Sequence, residues 1–218
     1  MLKGVIFDLD GTLFDSMFVW DTAGEAYLRS LGKQPEAELR RILKPMSLQQ
    51  SAEYLQVRYQ LALSAEEICT GINRTVEDYY FHTVQPKQGV IALLEELYRR
   101  KINMCIATAT DRYQVEAALK RCHMQQFFSA IFTCSVVGSG KDQPQIYQAA
   151  LAHLRADKGS VLIVEDACHA LQTAKQAGFT VVGVYDAHEV SQDKVRSLSD
   201  IYLPDFSDLT ELWKFASS

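Results

Sequence analysis

The chain reads as an α/β protein: a Rossmann-like parallel sheet core with helices on both faces, interrupted by an inserted all-helical cap domain. Three observations carry this. Short β-branched runs alternate with longer helical patterns. Several of the short runs are apolar almost throughout, as expected of strands buried on both faces of a parallel sheet. One long stretch, residues 16–83, breaks the alternation with helix signals and no strand pattern. At 218 residues the chain exceeds the typical domain of about 100–150 and fits one domain carrying a large insertion or two unequal domains.

The strand candidates are residues 3–8, 103–108, 130–134, 160–165, 180–185 and the brief 201–203. Within the insertion, Met17, Trp20, Tyr27, Leu28 and Leu31 fall at helical spacing before Gly32. Ser47-Leu48-Gln49-Gln50 and Ser64-Ala65-Glu66-Glu67 both fit the capping-box pattern, in which a hydroxyl and a carboxylate or amide three residues on satisfy each other's backbone N–H groups. Ile68, Ile72, Val76 and Tyr79 or Tyr80 then repeat at helical spacing. In the remainder, Val90, Leu93, Leu94 and Leu97 mark a helix closed by Arg99, Arg100 and Lys101, cations that suit a helix C-terminus. Pro144 opens another, with Ile146, Tyr147, Ala150, Leu151 and Leu154 on its buried side. A third covers residues 167–177, with Gly178 just beyond its end. Ser207-Asp208-Leu209 and Leu212-Trp213 predict a short capped helix packed on the core. The boundaries follow: a core of residues 1–15 and 84–218, and a helical cap of residues 16–83.

Composition narrows the classes. With 48% hydrophobic and 22% charged residues the chain supports a large core and is not a disordered one. A net charge of −5 argues against a general nucleic-acid-binding surface. No apolar run approaches the roughly 20 residues of a membrane span. Val5-Ile6-Phe7 is too short for a signal-peptide core and meets Asp8 and Asp10 at once. The five cysteines are odd in number, scattered and without a Cys-x-x-Cys pair, which predicts a reducing cytoplasm and neither a disulfide framework nor a zinc site. His82, His123, His153 and His188 have no mutual metal spacing.

The most informative segment is Val5-Ile6-Phe7-Asp8-Leu9-Asp10-Gly11-Thr12. An apolar strand ends in two carboxylates two residues apart, then a glycine and a hydroxyl. Ligands of open α/β sheets sit at the carboxyl ends of strands, where these groups lie. Alone, the pattern also fits an ordinary strand-to-turn boundary, rich in Asp and Gly. Three further segments follow in order. Met104-Cys105-Ile106-Ala107 leads to Thr108, Gly140-Lys141-Asp142-Gln143-Pro144-Gln145-Ile146-Tyr147 stands before a helix, and Val161-Leu162-Ile163-Val164 leads to Glu165-Asp166. Together the four resemble the ordered motifs of the haloacid-dehalogenase-like (HAD) hydrolase superfamily, in the phosphatase branch similar to β-phosphoglucomutase and phosphoglycolate phosphatase. That superfamily often places a helical cap between its first and second motifs, where residues 16–83 lie.

The resemblance implies Mg²⁺-dependent hydrolysis of a small phosphomonoester through an aspartyl-phosphate. Asp8 is then the nucleophile, and Asp10 the general acid and base. Thr108, with Ala109 beside it, binds a phosphoryl oxygen, and Lys141 offsets negative charge and steadies the phosphate. A carboxylate attacking a phosphate dianion meets like charge, so a cation is needed, and Mg²⁺ suits an all-oxygen site. Asp8 and Asp166 are implied as side-chain ligands and Asp10 through its main-chain carbonyl. Glu165 is a ligand either directly or through water. Asp10 also argues against a dehalogenase, because a halide leaving group needs no proton donor.

The pattern has departures. Ala167 and Ala170 stand where the superfamily usually has Ser and Gly, and Asp142 and Gln143 replace the residues expected after Lys141. Leu43-Lys44-Pro45-Met46-Ser47 resembles the cap loop with which β-phosphoglucomutase recognises its sugar phosphate. Leu48 and Trp20, however, occupy the places of that family's phosphate-gripping Arg and cap His. A sugar phosphomutase is thereby disfavoured but stays as the alternative, beside a catalytically weak regulatory or binding member of the fold, which Ala167 and Ala170 keep open. Trp20 and Lys44 are candidate substrate contacts. Lys44, Arg40 and Arg41 either bind an anion or are solvated helix charges. Trp20, Met46 and Phe18 either wall the leaving group or pack in the core, and Cys168 and His169 either line the site or lie on a helix surface. The expected partner is a small phosphorylated metabolite, with no nucleic acid and no membrane, acting on a monomer or weak homodimer in the cytoplasm.

Overall fold

A computed structural model describes residues 1–43, 46 and 48–217. The chain divides into two compact units, residues 1–15 with 84–218, and residues 16–83.

The larger unit holds a six-stranded, all-parallel sheet built from β1 (Gly4–Phe7), β2 (Asn103–Thr108), β3 (Ala130–Thr133), β4 (Val161–Glu165), β5 (Thr180–Val184) and β6 (Ile201–Leu203), in the order β3-β2-β1-β4-β5-β6. β1 is central, with Phe7 in register with Ile106 of β2 on one side and Val164 of β4 on the other. The chain runs outward from β1 through β2 to β3, returns, and runs out again through β4 to β6. The carboxyl end of β1 is therefore the topological switch point, where open α/β sheets bind ligands.

The smaller unit comprises α1 (Met17–Ser30), α2 (Leu39–Leu43), α3 (Leu48–Arg58) and α4 (Ala65–His82). The larger adds α5 (Val90–Arg99), α6 (Arg112–Arg121), α7 (Cys134–Val137), α8 (Gln145–Leu154), α9 (Cys168–Gln176), α10 (Gln192–Leu198) and α11 (Thr210–Ser217). On one sheet face Ile6, Cys105, Ile163 and Val181 pack with Ile146, Tyr147 and Ala150 of α8 and with Leu171 and Ala174 of α9. Alternation puts Val5, Phe7, Met104 and Ile106 on the other face; they too are buried, and α5 packs there on β2. This two-sided burial explains the near-continuous apolar strand runs.

Local signals form the predicted elements with small differences. The Ser64 hydroxyl accepts from the Glu67 N–H, and Glu67 accepts from the Ser64 N–H at 2.8 Å, so the second capping box is complete. Ser47, on which the first rests, lies outside the described residues. Gly178, at φ +81°, follows α9 as expected. The buried side of α1 is displaced from the predicted one: Ala23, Gly24, Tyr27 and Leu28 are buried, whereas Leu31 is exposed and Met17 and Trp20 are half-buried. Leu151 is likewise only half-buried, because it sits at the edge of the α8 core stripe. Among the described residues no helix is long and apolar enough to cross a membrane.

Candidate active site

Asp8 directly follows β1, and its N–H still donates to Val164 O at 2.9 Å, continuing the ladder beyond the last strand residue. The chain then turns: Gly11 takes φ +78°, a left-handed conformation that costs a glycine little, and its N–H donates to Phe14 O at 2.9 Å. This turn separates the two aspartates. Asp8 is buried, while Asp10 is half-exposed and its Oδ2 accepts from the Thr110 hydroxyl.

Lys141 reaches the same place from the loop after α7. Its ammonium is buried and donates to both Asp8 Oδ1 and Glu165 Oε1. Glu165, the last residue of β4, also accepts from the Tyr147 hydroxyl of α8 at 3.0 Å. Asp166 follows, with Oδ1 accepting from the Thr12 hydroxyl at 2.8 Å. Asp8, Glu165 and Asp166 each offer an oxygen within 4.8 Å of the others, and all three are buried. The Asp10 carboxylate is not part of this group. Thr108 ends β2 fully buried and its hydroxyl accepts from the Thr110 N–H at 3.1 Å, with Ala109 exposed beside it.

Three buried carboxylates beside one ammonium leave excess negative charge. Burial raises the Asp8 carboxyl to about 7, against the pull of Lys141 and with the push of Glu165. Burial and the charges of Asp8 and Glu165 hold Asp166 well above the carboxylate range. For Lys141 burial works against the charge, but Asp8 and Glu165 together outweigh it and the ammonium is held more firmly than usual. Burial and Glu165 raise the Tyr147 phenol well above its ordinary value, so it stays a donor. Glu165 Oε2 is buried without a hydrogen-bond partner among the described residues. An all-oxygen donor set, surplus negative charge and an unpartnered carboxylate oxygen fit a hard divalent cation such as Mg²⁺.

The sequence profile of a family described as haloacid dehalogenase-like hydrolase matches residues 5–184. The chain belongs to that family. Among relatives of this haloacid dehalogenase-like hydrolase, a phosphorylated carbohydrates phosphatase of Thermotoga maritima is 24% identical over 177 residues, covering 81% of this chain and 82% of its own. A probable pseudouridine-5'-phosphatase of Drosophila melanogaster is 28% identical over 205 residues, covering 90% and 87%. The crystal structure of CbbY from Rhodobacter sphaeroides in complex with phosphate has a TM-score of 0.84 at 23% identity, covering 96% and 97%, and shares the fold.

The remaining candidates of the hydrolase separate as follows. Trp20 lies in α1, where its indole N–H donates to the Tyr80 hydroxyl of α4 at 2.8 Å. Phe18 is exposed and meets Tyr79 edge-to-face at 5.1 Å, and Met46 is half-buried. Lys44 lies outside the described residues. Arg40 pairs with Glu25 at 2.9 Å and Arg41 with Glu38 at 2.6 Å, so both follow the helix-charge reading and not the anion-binding one. His169 is exposed on α9, and the Cys168 N–H is taken by Glu189 at 3.1 Å. Thr12, Thr110 and the Tyr147 hydroxyl have no role legible in the sequence alone. Each sits within or two residues from a motif and carries a hydroxyl, which is the available signal.

Proposed function

We propose that the chain is a Mg²⁺-dependent phosphatase that hydrolyses a small phosphomonoester through an aspartyl-phosphate on Asp8. The observation that carries this reading is the gathering of Asp8, Lys141, Glu165 and Asp166 in one buried site at the switch point of the sheet. Asp8, Asp166 and Glu165 would hold the cation, with the main-chain carbonyl of Asp10. When bound, the cation neutralises phosphoryl charge that would otherwise repel the nucleophile.

An Asp8 carboxylate oxygen forms a bond to phosphorus as the bond to the leaving oxygen breaks. Asp10 gives its proton to that oxygen, then takes one from the water that attacks the acyl phosphate and releases phosphate. The Thr110 hydroxyl keeps the Asp10 carboxyl oriented between the two steps. Lys141 and Thr108 steady the phosphoryl oxygens as charge shifts, and Ala109 lines the same loop. The helical unit acts as the cap, opening to admit substrate and closing to exclude bulk water. The phosphatase relatives, named for phosphorylated carbohydrates and pseudouridine 5'-phosphate, support a small metabolite as substrate. Five scattered cysteines, odd in number and without a Cys-x-x-Cys pair, support a cytoplasmic site of action.

A phosphomutase needs donors that grip a second phosphate. Leu48 stands in the place of the Arg that would do so, and Trp20, in the place of the cap His, gives its indole N–H to Tyr80; both favour hydrolysis. The decisive assay compares wild type with Asp8→Asn on a panel of sugar phosphates, phosphoglycolate and nucleoside monophosphates with Mg²⁺. Phosphate release should fall at least about 1000-fold. Undiminished release would remove Asp8 as nucleophile, and isomer interconversion without release would establish the mutase.

A further inference from the structure

Each carboxylate of the acidic cluster accepts a side-chain hydrogen bond. Asp8 Oδ1 is held by Lys141, Asp166 Oδ1 by Thr12, and Glu165 Oε1 by Lys141 and Tyr147 together. Glu165 differs in two respects. One of its oxygens takes two donors, one from the loop before α8 and one from α8 itself, and the other, Oε2, is buried with no hydrogen-bond partner among the described residues. A carboxylate oxygen in that condition is costly unless something arrives to satisfy it.

The two donors to Oε1 are not equivalent. The Lys141 ammonium is shared with Asp8 and sits on a flexible stem, so its grip on Glu165 changes whenever it turns toward a phosphoryl oxygen. The Tyr147 hydroxyl is carried by a ring that is completely buried, packed among Ile146, Ala150 and Ile163 and edge-to-face with Phe179 at 6.3 Å. That ring cannot swing away without displacing the core beneath α8.

We infer that Tyr147 is a positioning residue for the cation site: its hydroxyl fixes Glu165 Oε1 and thereby presents Oε2 in a single orientation, independently of Lys141. The inference rests on the proposal that the acidic cluster holds Mg²⁺. Groups that orient metal ligands are worth about 10- to 100-fold in metal affinity. Mg²⁺ demands near-ideal octahedral geometry, whereas Ca²⁺ tolerates irregular shells, so loosening one ligand penalises Mg²⁺ more.

The test uses the full chain, wild type and Tyr147→Phe, titrated calorimetrically with MgCl2 alone and with CaCl2 alone. Thermal midpoints in chelator check the fold. Phe keeps the ring and its contact with Phe179. Tyr147→Phe should weaken Mg²⁺ binding roughly 10- to 100-fold and Ca²⁺ binding less, so that the ratio of the two affinities falls. Unchanged Mg²⁺ affinity in the variant, beside normal binding by wild type, overturns the role of Tyr147 alone. Equal losses for both ions with a lowered midpoint assign the residue to packing and overturn it too. A wild-type chain that binds no Mg²⁺ overturns the cation reading itself, and this inference with it.

Discussion

As the proposed nucleophile, Asp8 has to be buried enough to be shielded from water and ionised enough to attack. Its folded pKa of about 7 lies above the ordinary 3.8, so between those values the folded chain keeps a proton that the unfolded chain has lost. In chelator, Asp8 therefore contributes stability that declines as pH rises from about 4 to about 7, and Asp166 acts in the same direction. A divalent cation selects the ionised forms, so Mg²⁺ binding at about pH 6 should expel more protons than at about pH 8. Calorimetric titration in buffers of different ionisation enthalpy counts them, and equal counts at the two pH values would contradict the shift. Motif order in the sequence is enough to single out Asp8, Lys141, Glu165 and Asp166, because each stands at a strand end or before a helix. The bond from Thr12 to Asp166 is not legible in that way. It joins residues 154 positions apart, and a hydroxyl's partner has no periodicity to betray it.

At the level of elements, reading accuracy follows local chemistry. Residues 103–108 and 201–203 are strands to the residue, and the other four strands lose only terminal positions. The capping box at Ser64 forms because both of its bonds lie within four residues of chain. By contrast α6 has no clear sequence signal, since polar Gln114 occupies its buried side and blurs the apolar stripe. α2 and α7 are too short to show a helical period at all. Packing between helices is less visible still. α1 and α4 approach so closely that a Cβ on Gly71 would lie 2.1 Å from the ring of Tyr27, which is buried. Gly71→Val should destabilise the chain by about 1–3 kcal/mol through this overpacking, although valine is the better helix former of the two. Urea denaturation monitored by circular dichroism measures the loss, and a midpoint at or above that of wild type would show that the helices separate without cost.

Across the whole molecule, the cation should act as a fold stabiliser. Its proposed ligands come from the ends of β1 and β4, and the lysine beside them from the loop after α7, so unfolding the sheet disperses the site. A ligand at 100 times its Kd adds about 2.7 kcal/mol to the folded state. For a chain of this size that corresponds to roughly 5–10 °C in the midpoint of the core transition. Calorimetric scans with Mg²⁺ and with EDTA should show this gap for wild type, and Asp166→Asn should abolish most of it. A gap that persists in the variant would place the stabilising ion elsewhere.

The central place of β1 in the sheet also sets a timetable during synthesis. Gly4–Phe7 leaves the ribosome well before its sheet neighbours, Asn103–Thr108 and Val161–Glu165. Translation at about 5–20 residues per second delays the first of those neighbours by roughly 5–20 s. Throughout that interval Val5, Ile6 and Phe7 have both edges bare, while residues 16–83 emerge and can coil into helices using mostly nearby contacts. The nascent chain thus carries a sticky unpaired strand ahead of an early-maturing helical bundle. Chaperone capture in the cell should fall on that strand.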